Sequence, residues 1–234
     1  MSDKKPEILS PAGSSESLIA AVRSGADAVY LGAKNFSARR NAENFGAAEL
    51  KDAVGYCHER GVKVYLTLNT MIKSKELSSA FETAEEAYAS GADGIIISDL
   101  GLADILRREI PDFPLHGSTQ LSVHSPAALS ILKEKGFSRI VLAREMSCKQ
   151  ISDFCREAQK IDIETEVFVH GALCMSLSGQ CLLSSMIGQR SGNRGLCAGP
   201  CRLPFSACGL NEKRYDLSLK DLSIISHINE LKEI

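Results

Sequence analysis

Short apolar runs alternate with amphipathic segments along this chain of 234 residues, which predicts strands and helices in turn. Gly94–Ser98 contains three consecutive isoleucines, as in a strand that is covered on both faces. Ala47–Arg60 carries apolar residues at spacings of three and four, which is typical of a helix with one buried face. The predicted strands are Glu7–Ser10, Ala28–Gly32, Lys63–Asn69, Gly94–Ser98, Leu115–Gln120, Arg139–Ala143 and Glu164–His170, and the predicted helices are Ser14–Ser24, Ala47–Arg60, Lys75–Ser90, Gly101–Glu109, Ala127–Lys135, Lys149–Gln159 and Ser223–Ile234.

Seven strands that alternate with helices imply parallel pairing and right-handed crossovers. A weak internal repeat, SGADAVYLG at 24–32 and SGADGIIIS at 90–98, places a glycine-terminated helix before a strand each time. Because the Gly-x-Gly-x-x-Gly phosphate motif is missing, we predict an α/β fold of the TIM-type (β/α)8 barrel class, with a doubly wound open sheet as the alternative. A closed barrel needs another strand after the last helix. We therefore expect residues 1–234 to form one barrel domain that is incomplete at its C-terminus, the N-terminal domain of a longer chain.

The composition narrows the class of protein. With 44% apolar and 24% charged residues the chain resembles an ordinary globular protein, and its net charge of -2 gives no global signature of nucleic-acid binding. There is no apolar run of eighteen residues and no secretory leader, so we expect a cytoplasmic protein that does not enter a membrane. Thiols stay reduced in that compartment, which favours metal or redox chemistry over disulfides for the eight cysteines.

Residues 171–211, here called the Cys-rich loop, have little helical or strand periodicity and are far longer than a usual connection. Cys174, Cys181, Cys197 and Cys201 follow the spacing C-x6-C-x15-C-x3-C, in which only the last pair approaches a zinc knuckle. Four thiolates on an irregular loop are the usual ligands of an iron–sulfur cluster, and we predict that role for them. Cys208 lies close enough in sequence to replace one of the four. The alternative is inert buried cysteine, which suits Cys57, Cys148 and Cys155 on helix faces.

Polar residues cluster at the carboxyl ends of the predicted strands, where barrel enzymes place their sites. They include Asn69, His116, Gln120, Glu166 and His170. Period-two alternation groups Glu166 with His170, and His116 with Gln120, so we predict a shared polar cavity. The alternative is that each one hydrogen-bonds loop backbone at the barrel rim.

The stretch from Val167 to Asn211 contains no Asp or Glu but carries Arg190, Arg194 and Arg202. Such a region could receive an anionic ligand. Equally, glycine-rich loops often lack acids by chance, and both interpretations remain open at this stage.

Much of the chain resembles the U32 peptidase family, also called collagenase-like proteases. The resemblance is carried by EVFVHGALCMSLSGQCLLS at 166–184, GQRSGNRGLC at 188–197, CRLPF at 201–205, GADAVYLG at 25–32, LTLNT at 66–70, LHGSTQ at 115–120 and RIVLARE at 139–145. It is strongest to the members that hydroxylate ribosomal RNA; others hydroxylate a tRNA uridine or the ubiquinone ring.

The resemblance implies oxygen-independent hydroxylation of a pyrimidine in rRNA or tRNA. It implies a four-iron, four-sulfur cluster on Cys174, Cys181, Cys197 and Cys201, with prephenate as a linked metabolite. On this hypothesis, a base enters the barrel mouth and the site residues take three kinds of role. The candidates for proton transfer are Glu166, His170 and His116; those for holding phosphates or a carboxylate metabolite are Arg190 and Arg194; and further substrate contacts are Asn193, Gln120 and Asn69.

Two other functions remain open from the sequence. One is a peptidase in which Cys174 and His170, or a bound metal, act on a peptide substrate. The other is an RNA-binding module in which the cluster is a structural element. No HExxH or GxSxG motif supports a hydrolase.

Overall fold

Seven parallel strands form one curled sheet in the computed structural model, which describes residues 5–206 and 212–234. Their spatial order follows the chain from β1 to β7, and helices pack on the outer face. The strands are β1 Leu9–Ala12, β2 Ala28–Gly32, β3 Lys63–Leu68, β4 Gly94–Ile97, β5 Leu115–Gly117, β6 Phe137–Val141 and β7 Glu164–Glu166. The helices are α1 Ser15–Arg23, α2 Ala47–His58, α3 Leu77–Ala89, α4 Leu100–Glu109, α5 Leu129–Glu134, α6 Cys148–Gln159, α7 Leu183–Gly188 and α8 Ile228–Lys232. A small antiparallel pair, β8 His170–Gly171 and β9 Leu222–Ser223, stands apart from the sheet.

This arrangement confirms the α/β prediction of a TIM-type barrel that is incomplete. A doubly wound sheet reverses its strand order at a switch point, whereas here every neighbour pair follows the sequence. The alternative fold is therefore excluded. None of the helices in the described part of the chain combines the length and apolar character needed to cross a membrane.

Two predicted strands end three and four residues earlier than their apolar pattern suggested. After Gly117 the Ser118 hydroxyl accepts a hydrogen bond from the Gln120 N–H at 3.2 Å, which starts a 3-10 turn and ends β5. β7 ends at Glu166 because this residue pairs with Val141, where β6 itself ends. His170 instead pairs with Ser223 in the small antiparallel sheet.

The apolar core lies between the sheet and the helices, not inside the barrel. Outward residues such as Leu31, Leu66 and Ile97 are at most 1% exposed, and Ala80 and Ala84 on α3 are fully buried. Small side chains on that helix let it approach the sheet closely. The inner face of the sheet holds a much smaller apolar cluster around Ala28, Tyr65 and Ile96.

An ionic cluster occupies the rest of the barrel interior. Arg139 on β6 donates to Glu7 Oε1 at 2.7 Å and to Glu164 Oε2 at 2.6 Å, and its side chain is only 10% exposed. Tyr65 donates to Glu7 Oε1 at 3.0 Å. Burial alone would raise the pKa of Glu7, but the hydrogen bonds from Arg139 and Lys63 bring it below its ordinary value. The Glu7–Arg139 pair joins the residues before β1 to β6 across the open side of the sheet.

Replacing Arg139 by Met should lower the free energy of unfolding by about 3 kcal/mol, because it leaves the partly buried Glu7 and Glu166 without a nearby cation. Urea denaturation at pH 7 measures this. Arg156→Met is the matched control, since Arg156 pairs with Asp153 on the exposed face of α6. That control should change stability by less than about 1 kcal/mol. Equal effects of the two substitutions would contradict the role assigned to the ionic cluster.

Candidate functional site at the mouth of the barrel

A hydrogen-bond network joins the carboxyl ends of neighbouring strands. Asn69, which follows β3, donates from Nδ2 to Ser118 Oγ at 3.2 Å and accepts at Oδ1 from the Ala38 N–H at 2.9 Å. Ser37 and Thr67 hydroxyls lie 3.3 Å apart below it. The predicted substrate residue Asn69 is therefore used to hold the loop after β2 against the loop after β5.

The Cys-rich loop packs over these strand ends. Asn193 donates from Nδ2 to the Gly179 carbonyl at 2.7 Å and accepts at its own carbonyl from the Met71 N–H at 3.2 Å. Between loop and strands lies a small cavity of about 110 Å³. Its walls come from both sides and are Met71, Ser98, Gln120, Gly179, Gln180 and Asn193. Two residues predicted to contact substrate, Gln120 and Asn193, thus meet at one cavity.

Glycine lets the loop approach the barrel backbone at two points. A Cβ at Gly179, whose φ is +76°, would lie 2.6 Å from the Gln120 carbonyl oxygen. A Cβ at Gly195, whose φ is +80°, would lie 2.2 Å from the Ser37 carbonyl oxygen. Both positions need the left-handed region and the missing side chain. These contacts set the distance between the two walls of the cavity.

The two predicted anion-binding arginines differ in their surroundings. Arg194 forms a two-point ion pair with Glu76 at 2.7 and 3.0 Å and also donates to the Met71 carbonyl at 2.7 Å. The hydrogen bond from Arg194 lowers the pKa of Glu76 to about 2. Arg194 is therefore occupied in fastening the loop, whereas Arg190 is exposed. The structure places only Arg190 where an anion from solution can reach its guanidinium.

Glu166 faces the barrel interior at the carboxyl end of β7. Burial raises its pKa to about 7, although Arg139 acts in the opposite direction. Its Oε2 lies 3.9 Å from Arg139 Nη1 and has no hydrogen-bond partner among the described residues. A side chain in this state exchanges a proton near neutral pH.

His116 is 4% exposed on β5, and its ring packs edge-on against Tyr65 with centroids 4.6 Å apart. Burial, together with the positive charges of Arg139 and Lys63, lowers its pKa to about 3. The imidazole is therefore neutral at physiological pH. His170, by contrast, is exposed in β8, so the alternation that grouped it with Glu166 does not persist.

Two contacts bear on the placement of the predicted cluster ligands. Burial raises the pKa of the Cys201 thiol, and the Cys174 and Cys197 thiols raise it further, so both lie within electrostatic reach. A Cβ at Gly192 would lie 3.7 Å from both the Cys181 carbonyl oxygen and Cys197 Cβ. Cys174 therefore lies near Cys201, and the Cys181 backbone lies near Cys197. Cys208 lies outside the described residues.

All seven cysteines that the structure describes are free. Within residues 5–206 and 212–234, no three His, Cys, Asp or Glu side chains converge closely enough to hold a single metal ion. Thiolates that bind separate irons of a cluster stand farther apart than the ligands of one ion. The donor set fits a multi-iron cluster in its chemistry, and the liganding role remains a prediction.

Sequence reasoning did not find three walls of the cavity, which are Met71, Gly179 and Gln180. A methionine on a loop and two residues in a Ser-Gly-rich segment carry no chemical signal of their own. The positive φ of Gly179 depends on contact with Gln120, 59 positions earlier in the sequence. Arg139 was missed as well, because a single arginine inside an apolar strand gives no hint of its three carboxylate neighbours.

Comparison with known proteins gives matches along nearly the whole chain. The family model described as peptidase family U32 matches residues 13–234. "tRNA hydroxylation protein P1" of Bacillus subtilis strain 168 is 35% identical over 99% of this chain and 57% of its own length. "23S rRNA 5-hydroxycytidine C2501 synthase" of Escherichia coli strain K12 is 38% identical over 94% of this chain and 34% of its own length. The chain thus spans about a third to just over half of these relatives.

Among solved structures, the U32 peptidase Mk0906 is similar with a TM-score of 0.61 and 16% sequence identity. The match covers 74% of this chain and 72% of that one. At so low an identity the likeness concerns the fold alone, and it agrees with the TIM-type architecture.

Glu166→Gln should stabilise the protein increasingly as pH rises. The folded state holds the Glu166 proton up to a pKa of about 7 against an ordinary 4.5, so this contribution is complete below 4.5 and is lost as pH rises through 7. Glutamine mimics the protonated side chain at every pH. Urea denaturation at pH 5 and pH 8 should show the variant gaining about 2.5 kcal/mol relative to wild type between the two. A gain that does not depend on pH would contradict the raised pKa.

Gly179→Ala should open the cavity wall, because the added methyl group meets the Gln120 backbone and the left-handed φ is strained for alanine. We expect a loss of about 1–3 kcal/mol in the free energy of unfolding and faster hydrogen exchange at 177–181. Gly188→Ala is the matched control in the same loop, since its Cβ meets nothing within 4 Å. Unchanged exchange at 177–181 in Gly179→Ala would contradict the close approach.

Proposed function

Because the chain belongs to peptidase family U32, we propose that it is the barrel of an RNA hydroxylase acting on a pyrimidine base of rRNA or tRNA. The observation that carries this proposal is the pair of relatives named for RNA hydroxylation, at 35% and 38% identity over nearly the whole chain. Both alignments extend over more than nine-tenths of the chain, so they include strand ends and the Cys-rich loop together.

The cavity at the barrel mouth suits a base taken out of its stack. An enzyme that modifies a ring atom must unstack the base first, and it reads the base by hydrogen bonds to its edge. The Gln120 and Asn193 amides and the Ser98 hydroxyl supply both donors and acceptors there. Their neutral character favours a polar, uncharged ring over a phosphate. We assign Arg190 to the RNA backbone or to a small carboxylate such as prephenate.

Glu166 is the candidate that best matches proton transfer. Exchange of a ring C–H bond for a C–O bond requires a group that takes up the proton of the broken C–H bond, and a buried carboxyl group with a pKa of about 7 can accept a proton at neutral pH. His116 is neutral and can only accept or donate a hydrogen bond in that state. His170 is exposed and lies on a different sheet, so its proposed part in proton transfer has less support.

We propose Cys174, Cys181, Cys197 and Cys201 as ligands of a four-iron, four-sulfur cluster. Such a cluster supplies one-electron transfer. Four free thiols on the loop that also contributes Gly179, Gln180 and Asn193 to the cavity support this assignment. Reduced thiols also fit a cytoplasmic location, which we propose for the protein.

A peptidase is the second candidate, and the family's description favours it. A thiol peptidase needs its nucleophile within hydrogen-bond reach of a base. No hydrogen bond joins Cys174 Sγ to the His170 ring within the described ranges. The RNA-binding module with a structural cluster would keep RNA affinity and lack any modified nucleoside.

Cys174→Ala, introduced into the full-length protein, should abolish both the cluster and the modification. We expect the anaerobically purified wild type to be brown with about four irons per chain, and the variant to be colourless. Mass spectrometry of rRNA and tRNA nucleosides from a complemented deletion strain should show the hydroxylated pyrimidine only with wild type.

Cys148→Ala is the control for that experiment, because Cys148 is exposed on α6, outside the Cys-rich loop. It should retain colour and modification. Hydroxylated nucleoside that persists in Cys174→Ala would contradict the assignment of the cluster. Peptide cleavage that survives in Cys174→Ala and resists chelators would point to a contaminating protease.

A further inference from the structure

The segment between Cys174 and Cys181 is fastened to the barrel by a single carboxylate, Glu145, at the rim beyond β6. Glu145 Oε1 accepts from the Ser178 N–H, and Oε2 accepts from the Ser178 hydroxyl at 3.0 Å. Ser178 is only 2% exposed and lies between the two cysteines in the sequence. One side chain of the barrel therefore satisfies two donors of the Cys-rich loop at once.

The loop that follows β5 completes a ring of hydrogen bonds around Glu145 and Ser178. Ser122, whose backbone is left-handed with φ +55°, donates from its hydroxyl to the Ser178 carbonyl. The Gln180 amide donates to the same Ser122 hydroxyl at 3.1 Å. His124 Nδ1 lies 2.8 Å from the Ser122 carbonyl, and its Nε2 lies 3.8 Å from Glu145 Oε1. The ring thus joins two barrel loops and the Cys-rich loop.

Glu145 is the charged member of this ring that accepts the loop's hydrogen bonds. Its side chain is 27% exposed, and partial burial acts to raise its pKa. The donors from Ser178 outweigh that effect, so the pKa of Glu145 lies below its ordinary value and the side chain is anionic at neutral pH. Hydrogen bonds to an ionised acceptor are about twice as strong as neutral ones. Removing the carboxylate would also leave a nearly buried N–H without its acceptor.

We propose that Glu145 is a positioning residue for the site: it holds residues 174–181 so that Cys174 and Cys181 face the cluster position and Gly179 and Gln180 wall the cavity. The link is direct, because Gly179 and Gln180 follow Ser178 immediately. The part of this inference that concerns cluster and base rests on the proposed function. The part that concerns the loop does not, and it can be tested without cluster, RNA or turnover.

The test measures how fast iodoacetamide alkylates each cysteine in the cluster-free, reduced protein, by mass spectrometry of its peptides. Glu145→Ala should increase the rates at the half-buried Cys174 and Cys181 about tenfold, because loss of the charge-assisted hydrogen bonds lets the segment detach. Glu145→Gln keeps one acceptor oxygen for Ser178 and should give an intermediate rate. Glu134→Ala on the exposed face of α5 should match wild type.

Three cysteines serve as internal references. Cys148 is exposed, so its alkylation rate measures the reactivity of the reagent towards an accessible thiol. Cys57 and Cys155 are buried in the core, so their rates measure unfolding of the barrel. The expected result is a change confined to Cys174 and Cys181. Wild-type rates at these two in Glu145→Ala would overturn the proposal. So would equal acceleration at Cys57 and Cys155, since Glu145 would then stabilise the whole fold and not the loop.

A second measurement tests whether Glu145 affects binding of the proposed cluster. After anaerobic reconstitution with iron and sulfide, Glu145→Ala should bind severalfold less iron and show an altered visible circular dichroism spectrum, with Glu145→Gln restoring most of both. Iron content and spectrum equal to wild type would overturn the positioning of the cluster ligands. If RNA hydroxylation itself fails, the alkylation result still stands, so failure of the two proposals can be told apart.

Discussion

Polar contacts to the barrel rim determine the shape of the Cys-rich loop, because its described part, residues 171–206, has no apolar core of its own. Leu182, Met186 and Ile187 on and beside α7 are 60–81% exposed, so burial of apolar surface does little to order this segment. Ordering some forty residues costs conformational entropy at every position. Ion pairs and hydrogen bonds to the fixed ends of the strands offset that cost. Everything that we assign to the mouth of the barrel depends on those contacts.

The side chains inside the barrel differ in polarity from those of the core between the sheet and the helices. Outward residues of the strands are almost wholly apolar, whereas the inner face carries Arg139 and three carboxylates. One guanidinium cannot pair equally well with all three. Glu7 and Glu164 receive close hydrogen bonds, and Glu166, at 3.9 Å, does not. Burial therefore keeps the pKa of Glu166 raised, to about 7, because the distant guanidinium offsets only part of its effect.

The sequence pattern predicted the regular elements well because their signals are local. β2 was predicted at its observed bounds, Ala28–Gly32, from apolar residues alone. Glu164–His170 was predicted as one strand, but it loses its partner where β6 ends, which is a property of another segment. The candidate site was predicted only in part, because some of its contacts also depend on distant segments of the chain. Gln120 and Asn193 have the right chemistry in the right motifs, whereas the engagement of Arg194 depends on Glu76, which lies 118 positions away.

The lack of acids between Val167 and Asn211 gains a physical explanation from these contacts. The loop's arginines pair with acids outside it: Arg194 with Glu76 and Arg202 with Asp221. An Asp or Glu within the loop would offer those arginines a local partner at a smaller entropic cost of closure. The loop could then satisfy its charges without docking on the barrel. Segregating the two signs of charge removes that competitor, so that Arg194 pairs with Glu76 outside the loop and thereby holds the loop over the barrel mouth, while Arg190 stays exposed.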